Sequence, residues 1–121
     1  MSGAAARLVC DERPETSWEF DVLRTWTERL RGLLGTESDA RPVLITRCGS
    51  VHTVGMAYAL DLAFLSERGE VLEVQRGIGP GHFASCVGAS CTLERPASEG
   101  EWVQRGEHLW VASVSVGLVG S

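Results

Sequence analysis

The stretch that decides the fold is residues 48–73, CGSVHTVGMAYALDLAFLSERGEVLE, which holds the densest apolar run of the chain. Residues 60–66 (LDLAFLS) are rich in strand-forming side chains. The same is true of residues 71–76 (VLEVQR), which extend three residues past the end of the quoted stretch. Gly69 lies between the two runs, and a glycine can adopt a positive φ without steric cost. Two strand-like runs joined by a short glycine-containing turn predict a β-hairpin.

The two arms of this hairpin are expected to be buried differently. In the second arm, Val71 and Glu73 share one face while Leu72 lies on the other, which indicates a half-buried strand. The first arm is apolar on both faces except at Asp61. This pattern predicts a central strand that is covered on both sides.

Asp61 needs an explanation, because a buried carboxylate is costly unless it is paired or hydrogen-bonded. One interpretation is that Asp61 accepts hydrogen bonds from backbone amides and fixes a bend after residues 57–59. A second interpretation places it in a pocket beside His52. A third leaves it exposed at a strand end.

The candidate ligand-binding residues are polar or sulfur-bearing side chains near this arm. In an extended segment, Ser50 and His52 point to one face, and Met56 follows them. His82 belongs to the irregular loop GIGPGH, and such loops often line binding sites. Structural roles compete for two of them, with His52 as a hydrogen-bonded histidine and Met56 as core filler. The predicted site is therefore Ser50, His52, Met56, Asp61 and His82, with no catalytic residue assigned.

The cysteines do not predict a metal or redox centre. Cys86 and Cys91 have four residues between them, unlike the two-residue spacing of zinc and redox motifs. In a straight strand Cys48 and His52 would lie about 13 Å apart, too far to share one metal. We expect no metal and no cofactor, and whether Cys86 pairs with Cys91 stays open.

Length and charge narrow the class of protein. A chain of 121 residues predicts one domain, with a core over residues 17–116 and disorder at 1–5 and 117–121. The net charge of −5 argues against nucleic acid and anionic lipid as partners. The N-terminal segment lacks a signal peptide's apolar core, and no 18-residue apolar stretch is present. We expect a cytoplasmic monomer whose partner is a small molecule or a protein.

Two capping boxes predict two short helices. Thr25 and Glu28 begin the first, whose apolar stripe is Trp26, Leu30, Leu33 and Leu34 and whose end is expected at Gly35. Ser98 and Glu101 predict a second helix over residues 99–104. Further strands are predicted at residues 7–10, 17–23, 43–47, 91–95 and 109–116. The predicted fold is mainly β (at the edge of α+β), a small antiparallel sandwich or barrel of about seven or eight strands with one or two short helices.

Three ordered motifs resemble the domain-of-unknown-function family numbered 192, which comprises small β proteins of bacteria and archaea. The central one is VHTVGM (51–56), then Leu60-Asp61, an apolar strand and RGEV (68–71). The flanking ones are ERLRGLL (28–34) and Leu93-Glu94 followed by RGE (105–107). The resemblance implies a small β-sandwich with a helix packed on it, and no known activity.

The chain departs from the family pattern at three positions, with Ala59 for Pro, Ala57 for a basic residue and Glu107 for Asp. The missing basic residue puts anion binding in doubt. The leading hypothesis is an accessory module that binds a ligand without catalysis. One alternative, which the resemblance implies, is a protein-interaction component of an envelope, secretion or pilus assembly system. The other is a hydrolase-like enzyme that uses His52 and Asp61.

Overall fold

The structure is a computed structural model that describes residues 3–117, without the side chain of Trp26. Ala4 is buried and opens a strand, so the disorder expected at residues 1–5 is wrong from this residue onward. Residues 1–2 and 118–121 lie outside the described part. The elements in chain order are β1 (Ala4–Cys10), β2 (Arg13–Leu23), α1 (Trp26–Arg31), β3 (Val43–Thr46), β4 (Ser50–His52), β5 (Leu60–Leu65), β6 (Val71–Ile78), β7 (Phe83–Ser85), β8 (Cys91–Pro96) and β9 (Leu109–Val116).

The mainly β class predicted from the sequence is confirmed, with nine strands and one short helix in the described part. Seven strands form one sheet in the order β6-β5-β8-β3-β2-β1-β9, and β4 pairs with β7 in a second sheet. The hairpin of β5 and β6 is present. One pairing differs from the antiparallel expectation, because β2 and β3 run parallel with Leu23 opposite Ile45. Their connection passes through α1.

The large sheet curls around one core. Residues from all seven of its strands meet in a single apolar cluster that also includes Trp102 and Val103. The strand-borne members are Ala6, Leu8, Cys10, Phe20, Leu44, Ala63, Leu65, Val71, Leu93 and Leu109. The curl closes where the start of β6 meets the start of β9: Leu109 N–H donates to the Gly69 carbonyl at 2.9 Å, and Val71 N–H donates to the Glu107 carbonyl at 2.8 Å.

A second apolar cluster covers the outer face of the central strands. Its members are Leu33, Val43, Ile45, Met56, Leu60, Leu62, Phe64 and Ala84. Leu33 after α1, Val51 of β4 and Ala84 of β7 belong to this cover, and all six residues of β5 are buried. The prediction of a central strand covered on both sides is correct, and the two layers give a sandwich-like domain.

The first helix is capped as predicted and ends earlier than expected. Thr25 Oγ1 accepts from the Glu28 amide, and Glu28 reaches back to the Thr25 amide. The C-cap is Gly32, with φ 53°, in place of Gly35. Leu33 is buried but lies beyond the end of the helix, and Leu30 is 64% exposed, so α1 does not present the apolar stripe that the sequence predicted.

The second predicted helix is absent, since residues 97–108 form an irregular connection. The Ser98 hydroxyl accepts from the Gly100 amide at 2.9 Å, so it does not cap a helix. Arg76 and Arg95 donate to backbone carbonyls of this segment, including that of Gly100. Trp102 then inserts into the inner core. These tertiary contacts outweigh a local capping preference.

A β-bulge at Ala112 changes which residues of β9 share a face. Arg7 pairs with Ser113 while Leu8 pairs with Val111, which leaves Ala112 unpaired. In a strand with strict alternation, Val111 and Val114 would lie on opposite faces. The bulge places both on the face of buried Leu8 and Ala6, yet Val114 is 61% exposed, because β9 is the edge of the sheet.

Candidate functional site

A cleft of about 90 Å³ opens where the end of α1 lies over β3, β4 and β8. We call it the Glu94 cleft. Its residues come from the α1 region, from the three strands and from the turn after β4: Arg29, Leu30, Arg31, Gly32, Leu33, Leu34, Ile45, Ser50, Val51, His52, Val54, Met56 and Glu94.

Glu94 is the buried acid of this cleft and is only 4% exposed. Burial raises the pKa of the Glu94 carboxyl to about 7, and the Leu33 backbone amide opposes part of that rise. A Cβ added to Gly32 would lie 3.1 Å from Glu94 Oε1, so the helix end packs closely against the carboxylate. Among the side chains that the structure describes, which do not include that of Trp26, none forms a hydrogen bond or salt bridge with it. The donor that acts on this carboxylate within the described residues is the Leu33 backbone amide.

Arg29 brings a donor to the same cleft. Its Nη2 donates to the Arg47 carbonyl at 3.2 Å. Its Nε is buried and has no hydrogen-bond partner among the residues that the structure describes. An unpaired buried N–H costs about 1–3 kcal/mol. The cleft is therefore lined by a buried carboxylate with a backbone donor and by an arginine whose buried Nε has no partner among the described residues.

Three of the five predicted site residues line the Glu94 cleft. Ser50 and His52 lie on the same face of β4, as an extended segment predicted, and Met56 follows the turn. His52 is opposite Phe83 of β7, with the ring centroids 6.0 Å apart. Met56 is buried in the outer core, so its core-filling role and its place at the cleft coexist.

Asp61 lies elsewhere, in a hollow that it lines with Arg76 and Ser98. Its carboxylate accepts from Arg95 Nε at 2.9 Å and from the Gly77 amide at 2.9 Å. The Ser98 amide lies 3.3 Å from it and Arg76 lies 3.5 Å away. Asp61 therefore accepts hydrogen bonds from backbone amides, as the first interpretation held, and it also forms ion pairs with two arginines. It does not lie in a pocket beside His52. It joins the ends of β5, β6 and β8.

His82 forms its hydrogen bonds with Thr53 through its backbone. Its amide donates to Thr53 Oγ1 at 2.8 Å, and its carbonyl accepts from the Thr53 amide at 2.8 Å. Its side chain is exposed, and the described residues lining the Glu94 cleft do not include it. The loop before β7 is anchored in this way to the turn after β4.

Sequence reasoning missed Glu94 and Arg29 as site residues. Glu94 has polar neighbours in the chain, Thr92 and Arg95, so no apolar run marked it as Asp61 was marked, and it entered the sequence analysis through the family motif Leu93-Glu94 alone. Arg29 offered no signal, since it is one of two arginines on a short helix.

The four cysteines, Cys10, Cys48, Cys86 and Cys91, are free thiols. Burial raises the pKa of the Cys91 thiol to about 11, so this sulfur is not a reactive thiolate at neutral pH. None of the helices described within residues 3–117 has the length and hydropathy needed to cross a bilayer.

Two solved structures have a similar fold. One is a protein of Sinorhizobium meliloti 1021 named as a candidate transcription regulator, with TM-score 0.70, 18% identity, and coverage of 93% of this chain and 95% of that one. The other is a protein of unknown function from Novosphingobium aromaticivorans DSM 12444, with TM-score 0.67, 15% identity, and coverage of 89% and 83%. No family model and no curated protein matches the chain. The similarity shows the fold alone.

Proposed function

We propose that this protein is a small-ligand-binding module without catalytic activity, and that its site is the Glu94 cleft. The observation that carries the proposal is a carboxylate that is 4% exposed, faces an open cleft and has no side-chain partner within the described residues. Such a group costs stability. Acids whose pKa burial has raised, in clefts, are candidates for functional sites.

The family resemblance supports the same cleft. The three motifs are far apart in the sequence, yet each contributes to its lining: Gly32 and Leu33 from the first, His52 and Met56 from the second, and Glu94 from the third. We propose on this basis that the chain is a member of the family numbered 192.

The hydrolase-like alternative lacks a supporting geometry. A histidine base oriented by a carboxylate needs the two groups within hydrogen-bond reach, about 2.6–3.2 Å. Asp61 is instead engaged by Arg95 and backbone amides, whereas His52 lies at the Glu94 cleft.

Amide chemical-shift titration tests the binding proposal. The panel contains metals, sugars, nucleotides, amines, amides and organic acids. We expect a ligand whose shifts cluster on Leu33, Ser50, His52 and Glu94, and which no longer binds Glu94→Leu. The matched control is Glu99→Leu, an exposed acid at the Asp61 hollow. Silence across the panel, or shifts confined to the Asp61 hollow, would contradict the proposal.

A second candidate function is protein interaction, which the edge strand β9 supports. Residues 109–116 carry no charge and no proline, and seven of these eight residues are exposed. Natural edge strands usually carry charges or prolines that prevent pairing. The uncharged strand can pair in an antiparallel manner with a second copy of itself about a two-fold axis.

Sedimentation velocity over a range of concentrations tests this candidate. Association that Val114→Lys abolishes would support it, because Val114 lies on the apolar face of β9. The control is Ser115→Lys, which places the same charge on the opposite face. A monomer at every concentration would remove self-association through β9.

A further inference from the structure

Exposed apolar side chains surround the Glu94 cleft, and the inference drawn from them rests on the function proposed above. We propose that the ligand of the cleft is a short acidic peptide segment, which places one apolar side chain in the cleft and its carboxylates near the arginines at the rim. The apolar surface, the size of the cleft and the distribution of charge each support one part of this ligand.

The apolar surface is continuous from the end of α1 to β7. Leu30, Leu34 and Val54 line the cleft and are 64%, 36% and 47% exposed. Phe83 is 81% exposed and extends this surface, since its ring centroid lies 6.0 Å from that of His52, which also lines the cleft. Single exposed apolar side chains are common, whereas a contiguous group marks an interaction site. We call these five residues the rim surface.

The size of the cleft suits one side chain of a larger ligand. Sites for drug-sized ligands enclose about 300–1,000 Å³, whereas this cleft holds about 90 Å³. Buried Leu33, Ile45 and Met56 line it, so the side chain that it favours is apolar. Binding energy at protein surfaces is concentrated in such pocket-filling anchors, and the contacts around an anchor exclude water. The rest of the ligand therefore lies outside the cleft, on the rim surface.

The charge at the cleft is opposite in sign to that of the whole protein. The net charge of the chain is −5. Among the described residues that line the cleft, three are basic and one is acidic: Arg29, Arg31, His52 and Glu94. This local excess of basic groups attracts a ligand that carries carboxylates.

The two arginines of the cleft have no carboxylate partner in the part of the chain that the structure describes. Four other arginines form salt bridges, but Arg29 and Arg31 form none within residues 3–117. Arg31 is exposed and uses its Nε to donate to the Leu34 carbonyl at 3.2 Å. Its remaining N–H groups are open to a ligand carboxylate.

A peptide fits these features better than a bilayer or a nucleic acid does. An anionic bilayer is a wide plane, and it would repel the acidic remainder of the protein surface. A phosphate backbone offers no apolar side chain to the cleft. A short peptide contacts the rim surface alone and carries apolar and acidic side chains on one chain.

Chemical-shift titration with matched peptides tests the inference. The probes are the acetylated and amidated heptapeptides ELDELLE, QLNQLLQ and EADEAAE, of which the second lacks the charge and the third lacks the leucines. We expect ELDELLE to shift the amides of Leu34, His52, Val54 and Phe83 with a Kd of about 0.1–1 mM. The other two peptides should bind about tenfold more weakly, because one loses the ion pairs and the other the apolar contacts.

Ionic strength separates the contribution of charge from that of apolar contact. The affinity for ELDELLE should fall about fivefold between about 0.02 M and about 0.3 M sodium chloride, because salt screens exposed charges. The affinity for QLNQLLQ should change by less than about twofold over the same range. An equal salt dependence for the two peptides would show that the arginines do not select the ligand.

Two matched pairs of variants locate the site. Val54→Ser and Val111→Ser each change a valine that is 47% or 48% exposed, and only Val54→Ser should weaken binding of ELDELLE, by about threefold. Arg31→Glu and Arg68→Glu each reverse the charge of an exposed arginine, and only Arg31→Glu should weaken binding, by about tenfold. Because all four side chains are exposed, the variants keep the fold. Equal effects within either pair contradict the assignment to the rim surface.

The outcomes distinguish this inference from the proposed function. The peptide inference is wrong if QLNQLLQ binds as tightly as ELDELLE, if the shifts fall on residues 109–116 instead, or if no peptide binds up to about 10 mM. After any of these results, a compound of the wider panel that shifts Leu33, Ser50 and His52 still supports the ligand-binding function. Failure of every compound and every peptide at the Glu94 cleft overturns both.

Two further measurements examine other occupants of the rim surface. Flotation with phosphatidylglycerol vesicles that is lost in Val54→Ser would assign the surface to a bilayer. Self-association that is lost in the same variant would assign it to a second copy of the chain. Either result overturns the peptide inference, and we expect neither.

Discussion

At the scale of single residues, Glu94 should control how stability depends on pH. Burial raises its pKa from 4.5 to about 7, so the folded state holds this proton more tightly than the unfolded state. The contribution of Glu94 to the free energy of unfolding is therefore greatest below pH 4.5 and is lost as pH rises from there through about 7. The total fall is about 3–4 kcal/mol, at about 1.4 kcal/mol for each unit of pKa.

Urea unfolding of the protein and of Glu94→Gln between pH 4 and 8 measures this effect, and the variant should lose most of the fall. The pair of Glu12 and His108 also contributes to the pH dependence of the free energy of unfolding, and its two residues act in opposite directions. The pKa of Glu12 is lowered to about 2 by its hydrogen bonds from His108, so its contribution disappears only as pH falls below 4.5. The pKa of His108 is raised by Glu12, so its contribution disappears above pH 6.5. The wild-type protein and Glu94→Gln both contain this pair. If the free energies of unfolding of the two proteins changed equally with pH, Glu94 would not be buried as described.

Asp61 should be a structural residue, with no part in ligand binding. Asp61→Ala leaves Arg95, whose side chain is largely buried, without its carboxylate, and should cost about 3–5 kcal/mol. Chemical denaturation measures the loss. Glu99→Ala, at an exposed acid in the same hollow, should change stability by less than about 0.5 kcal/mol. If Asp61→Ala were stable but failed to bind ligand, the site would have to be moved to the hollow.

The sequence was informative about Asp61 and not about Glu94 for a physical reason. Asp61 stood out because its whole neighbourhood in the chain is apolar. The environment of Glu94 is made by Val43 of β3 and Leu62 of β5, its partners across the sheet, and by Gly32 above it. Those neighbours lie more than thirty positions away, so no local pattern announces the cleft.

At the scale of secondary structure, Gly69 should be the most sensitive turn residue. It has φ +86°, and an added Cβ would lie within 2.1 Å of the Leu109 carbonyl oxygen. Gly106 has φ +89° and nothing within 4 Å of such a Cβ. Gly106→Ala should cost about 1–3 kcal/mol through backbone strain alone. Gly69→Ala should cost about 1–3 kcal/mol more, because it separates β6 from β9. Equal losses in thermal unfolding would mean that the two strand starts are not in contact.

Elements with local contacts were predictable, and those with distant ones were not. The hairpin of β5 and β6 and the cap at Thr25 depend on residues within a short window. The parallel pairing of β2 with β3 has no local signal. The segment after Ser98 carries a capping sequence, but Arg95 and Arg76 take its carbonyls and exclude the helix.

At the scale of the whole molecule, Trp102 should hold the curled sheet together. It is 3% exposed, its ring centroid lies 6.0 Å from that of Phe20, and the Arg95 guanidinium lies 4.5 Å from the ring. Trp102→Ala should cost about 3–5 kcal/mol. Gln104→Ala, at an exposed position of the same segment, is the control. A small loss measured by urea unfolding would show that the sheet keeps its curl without this side chain.

The mainly β class could be predicted because strand patterns dominate the sequence. The curl of the sheet could not be predicted. Curling requires that β6 and β9, the two edges of the sheet, meet at the bridge of Glu70 and His108. That contact joins residues that are 38 positions apart and depends on a connection with no regular structure.

The hydrogen bond from the Gly117 amide to the Gly3 carbonyl, at 2.6 Å, places β1 and β9 side by side at their outer ends. The chain is therefore suited to circular permutation, in which these two ends are joined and the chain is opened elsewhere. A circular permutant that links residues 3 and 117 and opens between Ser38 and Asp39 would begin at β3 and end with α1. In that molecule the parallel neighbours β2 and β3 would be joined only through the new linkage. If it folds, the sheet and not the covalent crossover dictates their pairing.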